Sequence, residues 1–508
     1  MIPEDRESAA PVAATSSYGR RLEELAERDP DEILLVLEDR EVSRRELDRR
    51  ANRMARAFAE QGVTAGDTVT ICAPNDLPFF VSCLAAWKLG AVPNPVPASL
   101  PAAERRAIIE EARPSLLFGV TEEIASIPSL PLDFEPSTEL DAGPLPDRIS
   151  PHERALTSGG STGRPKLIVA ARPACYDPAS PAPYFVAERA ALITGPTYHA
   201  MPFSAAWYAL LGGQRAIVMR RFDPERCLAL IEEHRVDRVY VVPTMMHRIW
   251  RLPEERRRSY DLSSLRALLT GGAPCPQWLM RAWIEWLGPE RVFEGYGPSE
   301  RIGRTFITGA EWLEHPGSVG LPQDGCRVRI LDKEGAELPP GEIGGIYMLP
   351  AQGSGSTFHY RGADRGMSRD GWETVGDVGY LDEDGYLYIC DRRADMILSG
   401  GRNVFAAEVE AAIELHPAVE SSAVIGLPDE DLGQRLHAIV YAPEGVSEAS
   451  LVAHMTQQLV GYKRPRSYEF VDASLRDDSG KMRRSALRAE RCRESPVSRA
   501  PVEAKPSR

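Results

Sequence analysis

From Thr157 to Lys166 the chain reads Thr-Ser-Gly-Gly-Ser-Thr-Gly-Arg-Pro-Lys, a run suited to holding phosphate. Gly159, Gly160 and Gly163 let backbone N–H groups come close to phosphate oxygens. The hydroxyls of Thr157, Ser158, Ser161 and Thr162, with the Lys166 ammonium, complete an anion cradle. No Gly-Lys-Ser/Thr ends the run, so it is not a Walker A loop. A flexible Ser/Gly linker would need no Arg-Pro-Lys and would not sit between strand-like runs. Lysine is also scarce: of 60 basic residues, only Lys88, Lys166, Lys333, Lys463, Lys481 and Lys505 are lysine. The net charge of −14 excludes general nucleic-acid binding, which wants a basic face, so anions must be held by local devices.

This loop resembles the signature loop of the adenylate-forming superfamily: acyl- and aryl-CoA synthetases, firefly-type luciferases and the adenylation domains of peptide synthetases. Further motifs follow in that family's order, and the likeness runs from about Tyr18 to Arg488. Gly271-Gly272-Ala273-Pro274 is similar to the turn that lies beside adenine. Gly295-Tyr296-Gly297-Pro298-Ser299-Glu300 resembles the next motif, in which Tyr296 would stack on adenine and Glu300 would ligand Mg²⁺. One carboxylate suffices there, because a hard cation also takes phosphate oxygens. The family usually has Thr before the Glu; Ser299 keeps the hydroxyl. Asp377 matches the carboxylate that accepts both ribose hydroxyls. Asp391-Arg392-Arg393-Ala394-Asp395 matches the hinge, with Arg392 reaching the ribose or phosphate side. The hinge position, usually Asp or Lys, is Ala394 here. Ser399-Gly400-Gly401-Arg402-Asn403 resembles the loop that lines the thiol tunnel, and Lys481 after Asp478-Ser479-Gly480 matches the C-terminal catalytic lysine.

The resemblance implies an ATP-dependent, AMP-forming acid–CoA ligase using ATP, Mg²⁺ and coenzyme A. Catalysis falls to Lys481, Thr162, Glu300 and His199. It also implies two half-reactions, between which a small C-terminal domain swings about the hinge, exchanging Lys481 for the Gly400-Gly401 face. Arg402, Arg464 and Arg466 are candidates for the phosphate of CoA. Matching pocket positions are His199, Phe203, Trp207, Val242, Thr244, Met245, Gly295 and Gly297. Pro196 to Phe203 contains no acidic residue, so nothing there would pair the ammonium of an amino acid. The variant Ser-Gly-Gly-Ser-Thr-Gly-Arg-Pro-Lys-Leu-Ile looks like the form in ligases for bile acids, a pointer to a bulky cyclic, steroid- or terpenoid-like acid. Fatty or aryl acids are the alternative.

These motifs need elements to hold them. Ser43-Arg44-Arg45-Glu46 is a capping-box pattern ahead of apolar residues at helical spacing. Asp67–Ala73 reads as a buried strand and Leu77–Leu89 as a buried helix stopped by Gly90. The rhythm returns at Ser115–Val120, Arg238–Val242 and Ala267–Thr270. Strands alternating with helices predict an α/β fold with parallel sheets covered on both faces. The resemblance adds a β-barrel-like part. From about Asp391 a smaller α+β unit begins, with helices at Ala406–Leu415 and Glu448–Leu459 and strands at Ala418–Ile425, Leu436–Tyr441 and Ser467–Val471. The organisation expected is therefore a disordered lead-in (1–17), a large N-terminal adenylate-forming domain (18–390), a hinge (391–395), a C-terminal lid (396–490) and a disordered tail (491–508). Arg172–Pro183, rich in Pro and Ala, reads as a surface loop.

Eight scattered cysteines with no CxxC pair read as buried free thiols of a cytoplasmic protein. No stretch is apolar enough to span a membrane. The partners expected are a small carboxylic acid and CoA as acceptor, with no nucleic acid; the oligomeric state stays open. Rival readings are an acyl-AMP ligase loading a separate carrier protein, an adenylate-forming monooxygenase, and a non-catalytic scaffold. The joint presence of Lys166, Glu300, Asp377, Arg392 and Lys481 argues against the last.

Overall fold

Six parallel strands at the centre of a nine-stranded sheet carry the site at their carboxyl ends. In order, the sheet runs Leu321–Pro322, Thr305–Thr308, Val292–Tyr296, Ala267–Gly271, Arg238–Val241, Ala190–Ile193, Arg215–Val218, Ile33–Leu37 and Arg40–Ser43. The strands from Val292–Tyr296 to Ile33–Leu37 are parallel, and the flanking pairs are antiparallel. This computed structural model describes residues 15–38, 40–122, 124, 127–158, 166–178, 187–362, 368–476 and 482–494.

Side chains alternate across a strand, so a doubly covered sheet needs apolar residues at both parities. Leu35, Leu37, Ala191, Ile193, Ala216 and Val218 pack into one core with the helices Arg44–Glu60, Leu77–Lys88 and Ala200–Gly212. Val36, Ala190, Leu192, Ile217, Val239 and Val241 pack into the other with Pro224–Glu233, Pro243–Trp250 and Gln277–Leu287. The chain passes from Ala190–Ile193 to Arg215–Val218 on one side, then returns to Arg238–Val241 on the other. That reversal leaves a crevice beyond the carboxyl ends of the strands, where α/β sheets bind ligands.

A second, four-stranded parallel sheet contains Val92–Pro95, Thr68–Ile71, Leu116–Phe118 and Ser129–Leu130. Helix Leu77–Lys88 is buried along its whole length, and its one charge, Lys88, meets Asp48 at 2.8 Å. Ser43 caps the helix Arg44–Glu60 through the Glu46 N–H, but the Glu46 carboxylate turns to Arg40 and Arg50. The barrel-like part is two separate sheets. One joins Ala155–Ser158, Lys166–Ala170 and Phe358–Arg361; the other is six-stranded around Gly344–Leu349 and Asp377–Leu381. Ile168, Ile302, Ile346, Phe358 and Leu387 fill the space they share.

The small C-terminal domain has its own core. Strands Ser421–Asp429, Gly433–Tyr441 and Ser467–Val471 are covered by the helices Ala406–Glu414, Glu448–Gln458 and Arg484–Glu494. Its first strand starts three residues later than the sequence suggests and runs on to Asp429.

Two expected loops are tied down instead. Ser16–Ser17 pairs with Cys175–Tyr176, and Ser17 caps the helix Tyr18–Arg28, so Ser16 and Ser17 of the expected lead-in belong to the fold. In the expected surface loop, Ala174 is buried and Cys175–Tyr176 is paired, while the Arg172 side chain keeps 41% of its surface. Helix Arg484–Glu494 runs past the expected end of the lid. All eight cysteines are free, but Cys175, Cys275, Cys326, Cys390 and Cys492 are only half-buried.

Candidate active site

The loops that leave the parallel strands converge on a cleft of about 2830 Å³. Its wall takes Thr194 to His199 after one strand and Val242 and Met245 after the next. Gly272, Ala273 and Pro274 follow the third, and Gly297 to Arg301 follow the fourth. Met482, Arg483 and Arg484 of the C-terminal domain face the same space, and Arg483 reaches Glu104 of the large domain at 3.2 Å.

At one end stand Tyr296, Asp377 and Arg392. The Tyr296 hydroxyl donates to Asp377 Oδ2 at 2.6 Å, and Arg392 Nε lies 3.5 Å from Oδ1. Burial first, then the Asp377 carboxylate, push the Tyr296 phenol well above its ordinary range. Beside them the Gly271–Pro274 turn brings bare backbone to the wall. A Cβ on Gly271 would stand 2.3 Å from the Gly295 carbonyl oxygen, and Gly272 has φ +81°, so neither position takes a side chain readily. An aromatic ring, a bare backbone edge and a carboxylate within reach of Arg392 make a nucleoside-sized niche.

Glu300 and Lys166 stand next to it. Glu300 is buried; Tyr360 donates to its Oε1 at 2.6 Å, and Lys166 Nζ lies 3.9 Å from the same oxygen. Lys166 also sits 3.8 Å from the centre of the Tyr360 ring. Burial lowers the Lys166 ammonium below its ordinary range; Glu300 opposes this and Arg392 adds to it. No described residue hydrogen-bonds Glu300 Oε2, and no group of three or more metal-ligating side chains exists among the described residues. Such a site fits a hard cation only if phosphate supplies the other oxygens, and Mg²⁺ behaves that way. Thr157 lines the cleft and adds a buried hydroxyl that has no partner among the described residues. The register pairs Ser158 with Lys166, so both ends of the glycine loop are fixed at this spot. Gly159, Gly160, Ser161, Thr162 and Gly163 lie outside the described residues, as does Lys481. Ser299 lines the wall beside Glu300.

On the remaining wall His199 ends the loop before the helix Ala200–Gly212, its ring 4.6 Å from that of Tyr198. Val242, Met245, Gly295 and Gly297 share that wall. Three expected pocket residues do not. Phe203 and Trp207 are fully buried among Phe79, Phe80 and Trp87, because the helix turns Ala200, Ser204 and Tyr208 to the cleft and their neighbours to the core. Thr244 lies off the wall as well, one residue before Met245.

Gly400 and Gly401 are also away from the cleft. With φ +56° and +75° they form the two-residue turn of the hairpin Ile397–Ser399/Arg402–Val404, a conformation that favours glycine at both places. Of the candidate arginines, Arg402 stacks on Tyr462 at 4.6 Å and Arg464 is tied to Leu459 and Thr456. Ala394 lines the cleft between Asp391, which accepts from the Ala407 N–H, and Asp395, which accepts from Arg484.

One cluster on this wall has no motif to announce it. Glu153, Arg154, Arg172, Ser204 and Arg301 come from four separate elements and meet beside the helix Ala200–Gly212.

Residues 22–352 match the AMP-binding enzyme family, and residues 408–481 match the AMP-binding enzyme C-terminal domain. A feruloyl-CoA synthase of an Amycolatopsis species is 34% identical, covering 87% of this chain and 92% of its own length. A 2-succinylbenzoate–CoA ligase of Bacillus licheniformis is 30% identical, covering 92% and 98%. A fatty acid–[acyl-carrier-protein] ligase of Streptomyces coeruleorubidus is 31% identical, covering 91% and 94%. Among solved structures, o-succinylbenzoate CoA synthetase of Bacillus subtilis with its acyl-adenylate superposes with a TM-score of 0.79 at 26% identity, covering 94% and 98%. The same enzyme has been solved with ATP and a magnesium ion, and a double mutant of it with a CoA product analogue. None of these relatives is a bile-acid ligase, the kind of enzyme that the variant loop suggested. The chain belongs to the AMP-binding enzyme family, and it is an AMP-forming acid–CoA ligase of the adenylate-forming superfamily.

Proposed function

We propose that the acid is a cyclic, aryl-type carboxylic acid and that the acceptor is coenzyme A itself. The observation that carries this is the wall beyond His199: Met201, Val242 and Met245 offer apolar surface, while Gly272, Gly295 and Gly297 add no side chains. Such a slot suits a flat ring. The feruloyl and 2-succinylbenzoate relatives support it, because both act on aromatic acids. The steroid- or terpenoid-like reading gives way to the aryl one.

In the first half-reaction the acid's carboxylate oxygen attacks the α-phosphorus of ATP, and pyrophosphate leaves. Both reactants are anions, so the protein's work is positioning and charge neutralisation. Lys166 and the backbone of the 157–166 loop would hold the phosphates. Glu300 would hold Mg²⁺, which supplies charge to the departing pyrophosphate. Lys481 would bridge the carboxylate and the α-phosphate. Asp377 would accept the ribose hydroxyls, with Tyr296 against adenine. In the second half-reaction a thiol attacks the acyl carbon and AMP leaves. The family's domain swing would bring Gly400 and Gly401 to the cleft for that step; here they stand away from it.

The test is pyrophosphate release with benzoic, cinnamic, fatty, steroid and diterpenoid acids, each with and without CoA. Release with aryl acids, and acyl-CoA only when CoA is present, is the expected result. Release confined to steroid or fatty acids would overturn the aryl reading. A separate carrier protein as acceptor has one observation in its favour, the carrier-protein ligase among the relatives. Acyl-AMP that forms but never transfers to CoA would select it.

A further inference from the structure

Among the described residues, the Glu153 cluster holds more positive charge than its own carboxylate can balance. Arg172 grips Glu153 with two bonds, of 2.9 and 2.5 Å, and Arg301 adds a third at 2.8 Å. Arg154 Nη1 lies 3.9 Å from Glu153 Oε2, and the Tyr18 hydroxyl donates to Oε1 at 3.2 Å. The carboxylate is saturated, yet three guanidiniums surround it. Burial of surplus charge without a counterion is costly. The neighbours register that surplus. Burial, then Arg301, pull the Arg154 guanidinium down to about 9. Burial works to raise the Tyr208 phenol, but Arg172 and Arg301 bring it below its ordinary value.

The surplus faces the cleft. Glu153 and Arg154 are 2% and 3% accessible along their side chains, whereas Arg172 keeps 41% and Arg301 27%. Arg154, Arg172, Ser204, Tyr208 and Arg301 all line the space that Glu300 and His199 line. Ser204 Oγ accepts from Arg154 at 2.8 Å and from Arg301 at 3.2 Å, and its own proton has no acceptor among the described residues. Arg301 is also held at φ +56°. That backbone strains a non-glycine residue, and strain of this kind gathers at ligand sites. Arg172 Nη1, 3.4 Å from the Tyr208 hydroxyl, and the Arg301 guanidinium turn to a shared cavity with the Ser204 hydroxyl and make a receptor for a flat oxyanion.

We propose that this cluster binds a second oxyanion on the acid substrate, so that the acid is a dianion, with one carboxylate activated beside Glu300 and another carboxylate-like group received by Arg172, Arg301 and Ser204. This rests on the acid-ligase reading above and narrows it. The same chemistry would also hold a terminal phosphate of ATP, and the experiment separates the two sources.

Pyrophosphate release is measured with matched acids: benzoic against isophthalic and terephthalic, cinnamic against 4-carboxycinnamic, hexanoic against adipic. The wild-type enzyme prefers the dianionic member of at least one pair by about tenfold or more in kcat/KM, the size of a charge-assisted hydrogen bond. In Arg301→Met the KM for that dianionic acid rises about tenfold relative to its partner measured on the same variant. Ser204→Ala, which keeps every ion pair to Glu153, reads the same ratio if Arg301→Met does not fold. No preference in any pair would overturn the proposal while leaving the ligase standing. A rise in the KM for ATP with both acids affected alike would also overturn it, and give the cluster to phosphate. No release with any acid would bring down the ligase reading itself.

Discussion

Two polar clusters share one cleft and are built on opposite plans. At the end proposed for the nucleotide, Tyr296, Asp377 and Arg392 are linked by one hydrogen bond and one contact of 3.5 Å, and Arg392 is largely exposed. At the other, Glu153 is saturated, almost inaccessible and surrounded by three arginines. The first is a set of groups that can trade partners when a ligand arrives. The second is a fixed knot whose geometry is complete before any ligand comes. A loose cluster should matter to turnover and little to stability, and a buried knot should matter to both.

Lys481→Ala gives the largest effect on turnover. Lys481 lies just before Met482 and Arg483, which line the cleft. Adenylation should fall about 10³-fold, while thioester formation from supplied acyl-AMP persists. Equal loss of both half-reactions would contradict the division of labour. Glu153→Gln comes next and attacks the knot: it strands three guanidiniums and should destabilise the large domain by about 3–5 kcal/mol. A urea midpoint unchanged from wild type would show that the cluster is not the fixed element described here. Asp377→Ala should raise the KM for ATP about tenfold and, because the Tyr296 hydroxyl loses its acceptor, lower stability by only about 1 kcal/mol, well short of the Glu153→Gln loss. A large loss of stability there would erase the contrast.

The smallest effect is a pH dependence. Burial raises the Glu294 carboxyl, at the edge of the nucleotide end, to about 8. Between its unfolded value near 4.5 and 8 the folded state binds the extra proton, so this group's contribution to stability falls as pH rises. Glu294→Gln removes that slope. The variant's melting temperature should gain on wild type between pH 5 and pH 8.5; parallel curves would show the carboxyl titrating normally.

How far the sequence could be read follows the same division. The groups proposed for the nucleotide could be nominated from sequence because they sit in short runs whose glycines and charges are adjacent in the chain, as in Gly271–Pro274 and Gly295–Glu300. The parallel strands were legible from apolar runs, to within a few residues. Phe203 and Trp207 misled because large aromatics suit a pocket and a core equally; only the phase of the helix turns them to Trp87 and sends Ser204 and Tyr208 to the cleft. The knot was illegible. Glu153, Arg154 and Arg301 stand alone between other motifs, and Arg172 opens a Pro- and Ala-rich stretch that reads as surface. What brings them together is the packing of the helix Ala200–Gly212 and the pairing of Ser16–Ser17 with Cys175–Tyr176, both set by tertiary structure. In sequence Gly400-Gly401 resembles the loop lining the thiol tunnel; the hairpin turn it forms comes from strand pairing, and its distance from the cleft depends on how the C-terminal domain sits.

The most direct test of the central claim is product stoichiometry. The full chain is incubated with ATP, Mg²⁺ and an aryl acid, with and without CoA, and AMP, ADP, pyrophosphate and thioester are measured. With CoA present, the account predicts AMP, pyrophosphate and acyl-CoA in equal amounts; without CoA, it predicts pyrophosphate without matching AMP, which stays in the acyl-adenylate. ADP and phosphate in place of AMP and pyrophosphate would contradict it.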